Sequence, residues 1–353
     1  MSNRRSFLKK AGALAATGAA SVSGLHAMVP DQLKEKAGQL PRLLPKRLEK
    51  GALIGLVTPG SSVSEKELDA CVRKLEGLGF RTTYEDTVLS EYGYFAGPDR
   101  ERADELMDMF KRKEVDGIWC VRGGYGSIRI LDMLDYELIR QNPKVLIGYS
   151  DITAILTAVY QQSGLVTFHG PVGTSDFNSF SKRSLRRILM DPRDTYRYPY
   201  KREKDSRENP EYDRYTLTAG IAEGELIGGN ISVLDSIIGT AYEPDFKGKL
   251  AYLEDVGEKT YRIDKMVYHL LSGTNLKEAA GIVMGVFDDC NVNSLPTLSL
   301  KQALDDLLKP LDMPVSYGIS FGHIKRQVTI PTGIRAIIDA DKNAFRLLEP
   351  AVI

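Results

Sequence analysis

Between residues 51 and 170, short apolar runs alternate with stretches of helical spacing, and this alternation constrains the fold more than any other feature. Residues 52–58 form an apolar run that ends in Pro59-Gly60-Ser61-Ser62. Ser64 and Glu67 then have capping-box spacing, and Leu68, Val72, Leu75 and Leu78 recur at helical intervals until Gly77 and Gly79 close the helix. Residues 81–87 fit a strand. Pro98-Asp99 opens a helix with Ala103, Leu106, Met107 and Phe110 on one face. Residues 117–121 read as a buried strand running into Arg122-Gly123-Gly124-Tyr125-Gly126. A strand over 144–149, a helix over 151–162 and a strand over 165–169 complete the series. Strands alternating with helices in this way predict an α/β domain with a doubly wound, mainly parallel sheet. Ligand sites in such sheets lie beyond the carboxyl ends of the strands. The Gly123-Gly124 turn and Ser150 both fall at such ends.

The first domain is expected over 45–190. Residues 191–215 then carry Pro192, Pro199 and Pro210 among mixed charges, with few aliphatic side chains, which is linker composition. The run over 201–208 mixes both signs and reads as a solvated connection. A second, mixed α/β and strand-rich domain is expected over 216–353. In it, Gly228-Gly229-Asn230 reads as a turn before a helix over 231–238, and a strand over 249–253 delivers Glu254-Asp255. A helix over 261–271, a strand over 281–287 and a helix over 298–308 follow. Residues 314–319 lead to Phe321-Gly322-His323, and the tail over 327–348 reads as paired strands.

Residues 1–27 do not belong to either domain. Arg4-Arg5-Ser6-Phe7-Leu8-Lys9 is a twin-arginine run, followed by a mildly apolar, Ala- and Gly-rich stretch too short for a normal span. An export signal is expected, with an exported, periplasmic destination and no stable membrane insertion once it is removed. Lys plus Arg equals Asp plus Glu at 47 each, so no global field recruits nucleic acid or an anionic membrane. No nucleic-acid motif accompanies the basic segments, and no nucleic-acid partner is expected. Cys71, Cys120 and Cys290 stand far apart and read as buried, unpaired core residues. His26, His169, His269 and His323 have no metal-ligand spacing, so neither a metal nor another cofactor is expected.

Ser150 is the strongest chemical signal. Ile147-Gly148-Tyr149-Ser150-Asp151 puts a serine between a buried strand and a helix, where a sharp turn lifts the hydroxyl and amide N–H groups face a developing oxyanion. The consensus for such an elbow has Gly two residues after the serine, where this chain has Ile152. A helix-capping hydroxyl is the competing role. A serine nucleophile needs a base and a group that orients the base. His26 lies in the export segment, and His269, beside Leu270 and Leu271, reads as a helix-packing residue. His169 and His323 both follow apolar runs and adjoin Gly, and the sequence does not choose between them.

The ordered motifs Arg122-Gly123-Gly124-Tyr125-Gly126, Ile147-Gly148-Tyr149-Ser150-Asp151, His169-Gly170-Pro171, Gly228-Gly229-Asn230, Leu253-Glu254-Asp255, Tyr261-Arg262-Ile263-Asp264 and Phe321-Gly322-His323 resemble those of the LD-carboxypeptidases (muramoyltetrapeptide carboxypeptidases), collinearly from Gly51 to the C-terminus. The resemblance implies a serine peptidase whose nucleophile is Ser150, whose base is His323 and whose orienting carboxylate is Glu254. Glu258 is the competing choice, disfavoured because it follows Gly257 in a looser turn. Family resemblance also implies an oxyanion hole at the N–H groups of Asp151 and Gly124. Arg122 would either grip the substrate's terminal carboxylate or form a buried structural ion pair. The implied reaction releases terminal D-Ala from murein tetrapeptides by hydrolysis of an L,D amide, and the implied assembly is a homodimer. A microcin-immunity-type peptidase acting on peptidyl- or aminoacyl-nucleotide amides is the runner-up. It needs an aromatic platform, and Trp119 falls in a buried strand. A non-catalytic murein-peptide-binding protein is the third possibility.

Overall fold

The computed structural model describes residues 40–199, 210–290 and 297–353. The expected export segment and the charged run over 201–208 lie outside them.

The first sheet is built from the alternating segments. Its strands are β1 (Leu53–Val57), β2 (Arg81–Thr83), β3 (Gly117–Cys120), β4 (Val145–Gly148) and β5 (Thr167–His169). All pair in parallel. Between them run helices α1 (Glu65–Glu76), α2 (Asp99–Lys111), α3 (Tyr136–Gln141) and α4 (Thr153–Ser163). The capping box of α1 is made as its spacing requires: Glu67 N–H donates to Ser64 Oγ at 3.3 Å, and Ser64 N–H donates to Glu67 Oε2 at 2.8 Å. The strand expected over 81–87 ends at Thr83, and a 3-10 turn occupies Asp86–Leu89.

The second half supplies helices and most of an eight-stranded sheet. After α5 (Ser179–Leu185) come β6 (Tyr196–Arg197), β7 (Tyr215–Thr218), β8 (Ile221–Asn230) and α6 (Ile231–Ser236). Next are β9 (Leu250–Val256), α7 (Thr260–Gly273), β10 (Gly281–Asp288), α8 (Leu300–Leu308) and β11 (Val315–Tyr317). The tail forms β12 (Ile330–Thr332), β13 (Arg335–Asp339) and β14 (Ala344–Leu347). Strand order in the large sheet is β6-β14-β13-β8-β9-β10-β11-β7. Its centre, β8 through β11, is parallel, and antiparallel strands flank it. The fold is therefore mixed α/β with a parallel sheet followed by a strand-rich one, as the pattern requires.

Two findings depart from the sequence pattern. β12 leaves the second half and pairs antiparallel with β5 at the edge of the first sheet, Ile330 opposite His169. Pro331 is tolerated there because an edge strand need not donate on its outer side. Gly228 and Gly229 are not a turn. They continue β8 at φ 148° and 145°, because a Cβ on Gly228 would stand 1.9 Å from the Tyr252 carbonyl oxygen and one on Gly229 2.4 Å from Thr153 Cγ2. Close approach of backbone, rather than a change of direction, requires the glycines.

α4 sits where the halves meet. Its residues Thr153 through Val159 are all buried, which is the pattern of a helix covered on every side. One apolar cluster joins Ile155, Leu156 and Val159 of α4 to Ile227, Leu234 and Leu253 of the second half. The helix that follows Ser150 is thus fixed by both sheets. Cys71, Cys120 and Cys290 are buried and unpaired, and Trp119 is buried with its indole N–H donating to Pro171 C=O at 2.8 Å. Among the described residues no helix is long and apolar enough to cross a membrane.

Candidate active site

At the carboxyl end of β4 the chain turns sharply into α4 through a 3-10 turn over Ser150–Ile152. Ser150 takes φ 64°, left-handed backbone that costs a non-glycine residue of order 1–3 kcal/mol. The cap positions of the turn and of α4 fall to Tyr149 and Ile152, and the Ser150 hydroxyl makes no hydrogen bond among the described residues. The competing capping role therefore falls away, and the strain has the form of a nucleophile elbow despite Ile152.

The neighbouring loops are tied to this turn. Asp151, almost fully buried, accepts hydrogen bonds from Gly126 N–H at 3.2 Å and Ser127 N–H at 2.9 Å. Burial pushes its carboxyl up, and these bonds oppose the shift. The Gly123-Gly124 turn is thereby drawn onto Ser150: a Cβ on Gly123 would lie 3.3 Å from Ser150 Oγ. Gly124 needs its glycine, at φ 93° with Ser61 Oγ 2.3 Å from a would-be Cβ. The N–H groups of Gly123 and Gly124 make no hydrogen bond among the described residues. Arg122 is half exposed, donates to Ser62 C=O at 3.2 Å and stands 3.9 Å from Glu67. The buried-ion-pair expectation for Arg122 is corrected: its pair is loose and solvated, because the turn points the side chain outward.

The second half contributes from β9 and from the loop after β11. Glu254 lies inside β9, fully buried, and its Oε2 is 2.8 Å from His323 Nδ1. Burial alone would raise the Glu254 carboxyl, yet the adjoining imidazole holds it below its ordinary range. Burial would likewise lower His323, and Glu254 overrides it, so the imidazole is raised above 6.5. Gly322, at φ 108°, allows this approach: a Cβ there would lie 2.9 Å from Glu254 Oε2. His323 also rests on Tyr149, the residue before Ser150, with ring centroids 4.7 Å apart. Beside them, Asn230 N–H donates to Thr153 Oγ1 at 3.1 Å, and Asn230 Nδ2 donates to Asp255 Oδ1 at 3.0 Å. These bonds pin the ends of β8 and β9 to the start of α4.

The other candidates separate cleanly. Glu258 pairs with Arg262 at 2.5 Å instead of with His323. His269 is exposed and pairs with Asp235 at 2.7 Å, so its expected packing role is corrected; it lies on the wet face of α7. His169 is fully buried, and neither ring nitrogen has a hydrogen-bond partner. It lies among Tyr149, Tyr252 and Phe321, centroids 5.6 to 6.1 Å away, and burial pushes its imidazole down to about 4. Sequence reasoning missed the position of Tyr149, whose ring touches both histidines. Among the described residues, no group of three or more His, Cys, Asp or Glu side chains could hold a metal ion.

A strained serine beside two free amide N–H groups, with a histidine–carboxylate pair packed on the tyrosine that precedes it, is the equipment of an acyl-transfer hydrolase. Comparison with known proteins agrees in class. Residues 54–170 match the LD-carboxypeptidase N-terminal domain and residues 223–338 the LD-carboxypeptidase C-terminal domain. The chain belongs to the LD-carboxypeptidase family of peptidases. It is 38% identical over 308 residues to a probable murein peptide carboxypeptidase of Bacillus subtilis, covering 85% of this chain and 93% of that one. It is also 27% identical over 337 residues to the microcin C7 self-immunity protein MccF of Escherichia coli, covering 87% and 96%. Among solved structures, the muramoyltetrapeptide carboxypeptidase of Oxalobacter formigenes aligns with TM-score 0.73 and 27% identity over 84% of this chain and 98% of that one.

Proposed function

We propose that this protein is a serine-type L,D-carboxypeptidase that releases terminal D-Ala from murein tetrapeptides. The observation that carries the proposal is the buried Glu254–His323 pair at 2.8 Å, seated on Tyr149 beside the strained Ser150. In the proposed reaction His323 Nε2 takes the Ser150 hydroxyl proton as Oγ attacks the amide carbonyl carbon. Glu254 holds the Nδ1–H tautomer and stabilises the imidazolium that forms. The oxyanion is received by the N–H groups of Asp151 and Gly124, each worth on the order of 10²–10³ in rate. His323 then protonates the leaving D-Ala nitrogen. Water, deprotonated by the same imidazole, attacks the acyl-enzyme and frees the shortened peptide and Ser150. Arg122, exposed next to the turn, would pair with the terminal carboxylate of the substrate, a bidentate match for guanidinium.

The twin-arginine segment supports action outside the cytoplasm, on stem peptides or released muropeptides. The proposal is tested by incubating the mature protein with purified tetra- and pentapeptide muropeptides and weighing the products. Loss of D-Ala from tetrapeptides alone is the expected result. No turnover of any stem, with cleavage of an aminoacyl-nucleotide amide, would replace it with the microcin-immunity reading. Binding without any turnover would leave a murein-peptide-binding protein.

A further inference from the structure

Arg102 is among the largest fully buried side chains of the protein, 1% exposed, and it stands in the first turn of α2. A cation there opposes the helix dipole, so the helix does not account for it. Taking a guanidinium out of water is also costly unless partners satisfy it on all sides. Those partners come from three separate loops. Nη1 donates to the Pro59 carbonyl and, at 3.0 Å, to the Gly126 carbonyl. Nε donates to the Gly97 carbonyl at 3.1 Å, and Nη2 pairs with Asp99. The Phe95 ring covers one face, its centroid 4.9 Å from the guanidinium carbon. Three carbonyl oxygens converging on one point would repel one another without a cation between them.

Two of these loops, after β1 and after β3, build the turn beside Ser150. Ser61 N–H donates to Gly123 C=O at 3.0 Å, and Ser61 Oγ accepts from Tyr125 N–H at 3.2 Å. Gly60 packs directly on the turn: a Cβ there would stand 2.4 Å from the Gly123 carbonyl oxygen and 2.8 Å from Asp151 Oδ2. Burial pushes the Asp151 carboxyl up, and the Arg102 charge is among the influences that hold it down. The turn is thus fastened at Gly123 C=O, at Tyr125 N–H and at both polar groups of Gly126. The N–H groups of Gly123 and Gly124 are left free.

We propose that Arg102 is a positioning residue for acyl transfer: by binding the loops after β1 and β3 to one buried guanidinium, it holds the Gly124 N–H on the oxyanion. The proposal rests on the serine-hydrolase reading above. Arg102 acts through the turn and not on the substrate. Lysine keeps the charge without the planar fork, so it cannot hold three carbonyls at once.

The test is steady-state D-Ala release by wild type and three variants, with Tm read for each. Arg102→Lys should lower kcat by about 10²-fold and leave KM within about threefold, because a displaced oxyanion donor is missed only in the transition state. Ser61→Ala drops one of the bonds that fasten the turn and should lower kcat by about tenfold. Arg129→Lys is the control. Arg129 shares Asp99, at 2.8 Å, and the Phe95 ring, at 4.8 Å, with Arg102, but its side chain bonds neither loop carbonyl. Its kcat should stay within about threefold of wild type. A folded Arg102→Lys with wild-type kcat, a loss carried wholly by KM, or an equal loss in Arg129→Lys would overturn the proposal. If Arg102→Lys does not fold, Ser61→Ala decides, and an unchanged kcat rejects the role. If wild type releases D-Ala from no stem, the carboxypeptidase reading has failed, and the rate of Ser150 modification by a fluorophosphonate reads the turn, since the phosphoryl oxygen takes the oxyanion's place. Slower modification in Arg102→Lys but not in Arg129→Lys then supports the role. Equal rates in all, or no reaction in wild type, reject it.

Discussion

His169 and His323 have the same surroundings in sequence and opposite ones in space. Each follows an apolar run and adjoins a glycine, and both rings pack against Tyr149. His323 faces a buried carboxylate and is raised; His169 faces aromatic rings and is driven down to about 4. Glu254 acts on both, but only His323 touches it, and His169 is the more deeply buried. Contact with the carboxylate, set against full burial without it, decides which imidazole can work as a base near neutral pH. The same rule separates Glu254 from Glu258, four residues apart: one is buried against an imidazole, the other half-buried against Arg262.

The largest expected effect of breaking this contrast is at His323. His323→Ala should lower kcat by about 10⁴-fold or more, and Glu254→Gln by about 10³–10⁴-fold, as for other members of coupled triads. Glu258→Gln should change kcat less than about threefold; steady-state D-Ala release measures all three. In wild type, kcat/KM should fall as pH drops through a value above 6.5, since His323 is raised and must be neutral to act. An acid limb below 6.5 would deny the Glu254 contact.

His169 sharpens the comparison through stability. Its folded value is about 4 against an ordinary 6.5, so the unfolded chain takes up the proton first. Stability is therefore lost as pH falls from about 6.5 to about 4, amounting to about 3 kcal/mol at the acid end. His169→Phe fills the aromatic box without nitrogens and should recover that amount in urea unfolding at pH 4. Above pH 7 this titration contributes nothing. The smallest effect is at the elbow: Ser150→Gly should stabilise the fold by about 1 kcal/mol by relieving the positive φ, read as a raised Tm.

Much of this was legible in the chain. Period and turn residues located the parallel strands of the first sheet, the capping box at Ser64, and Ser150 at a strand end. The strand before Glu254 favoured it over Glu258, and Glu254 is the one that meets His323. The choice of histidine was not legible, because it depends on β12 crossing from the tail to pair with β5 and enclose His169. A three-residue strand containing Pro331 carries too little periodicity to announce such a crossing. Gly228-Gly229 misled for a related reason: a glycine needed for close packing is spelled like a glycine needed for a turn.

The proposed reaction has one step in which both halves of the molecule act on a single atom: activation of the Ser150 hydroxyl by an imidazole delivered from beyond β11. Treatment with a fluorophosphonate followed by peptide mass mapping reads that step directly. A single adduct on Ser150, abolished by His323→Ala and kept by His169→Phe, is the outcome expected. An adduct on another residue, or undiminished labelling of Ser150 without His323, would contradict it.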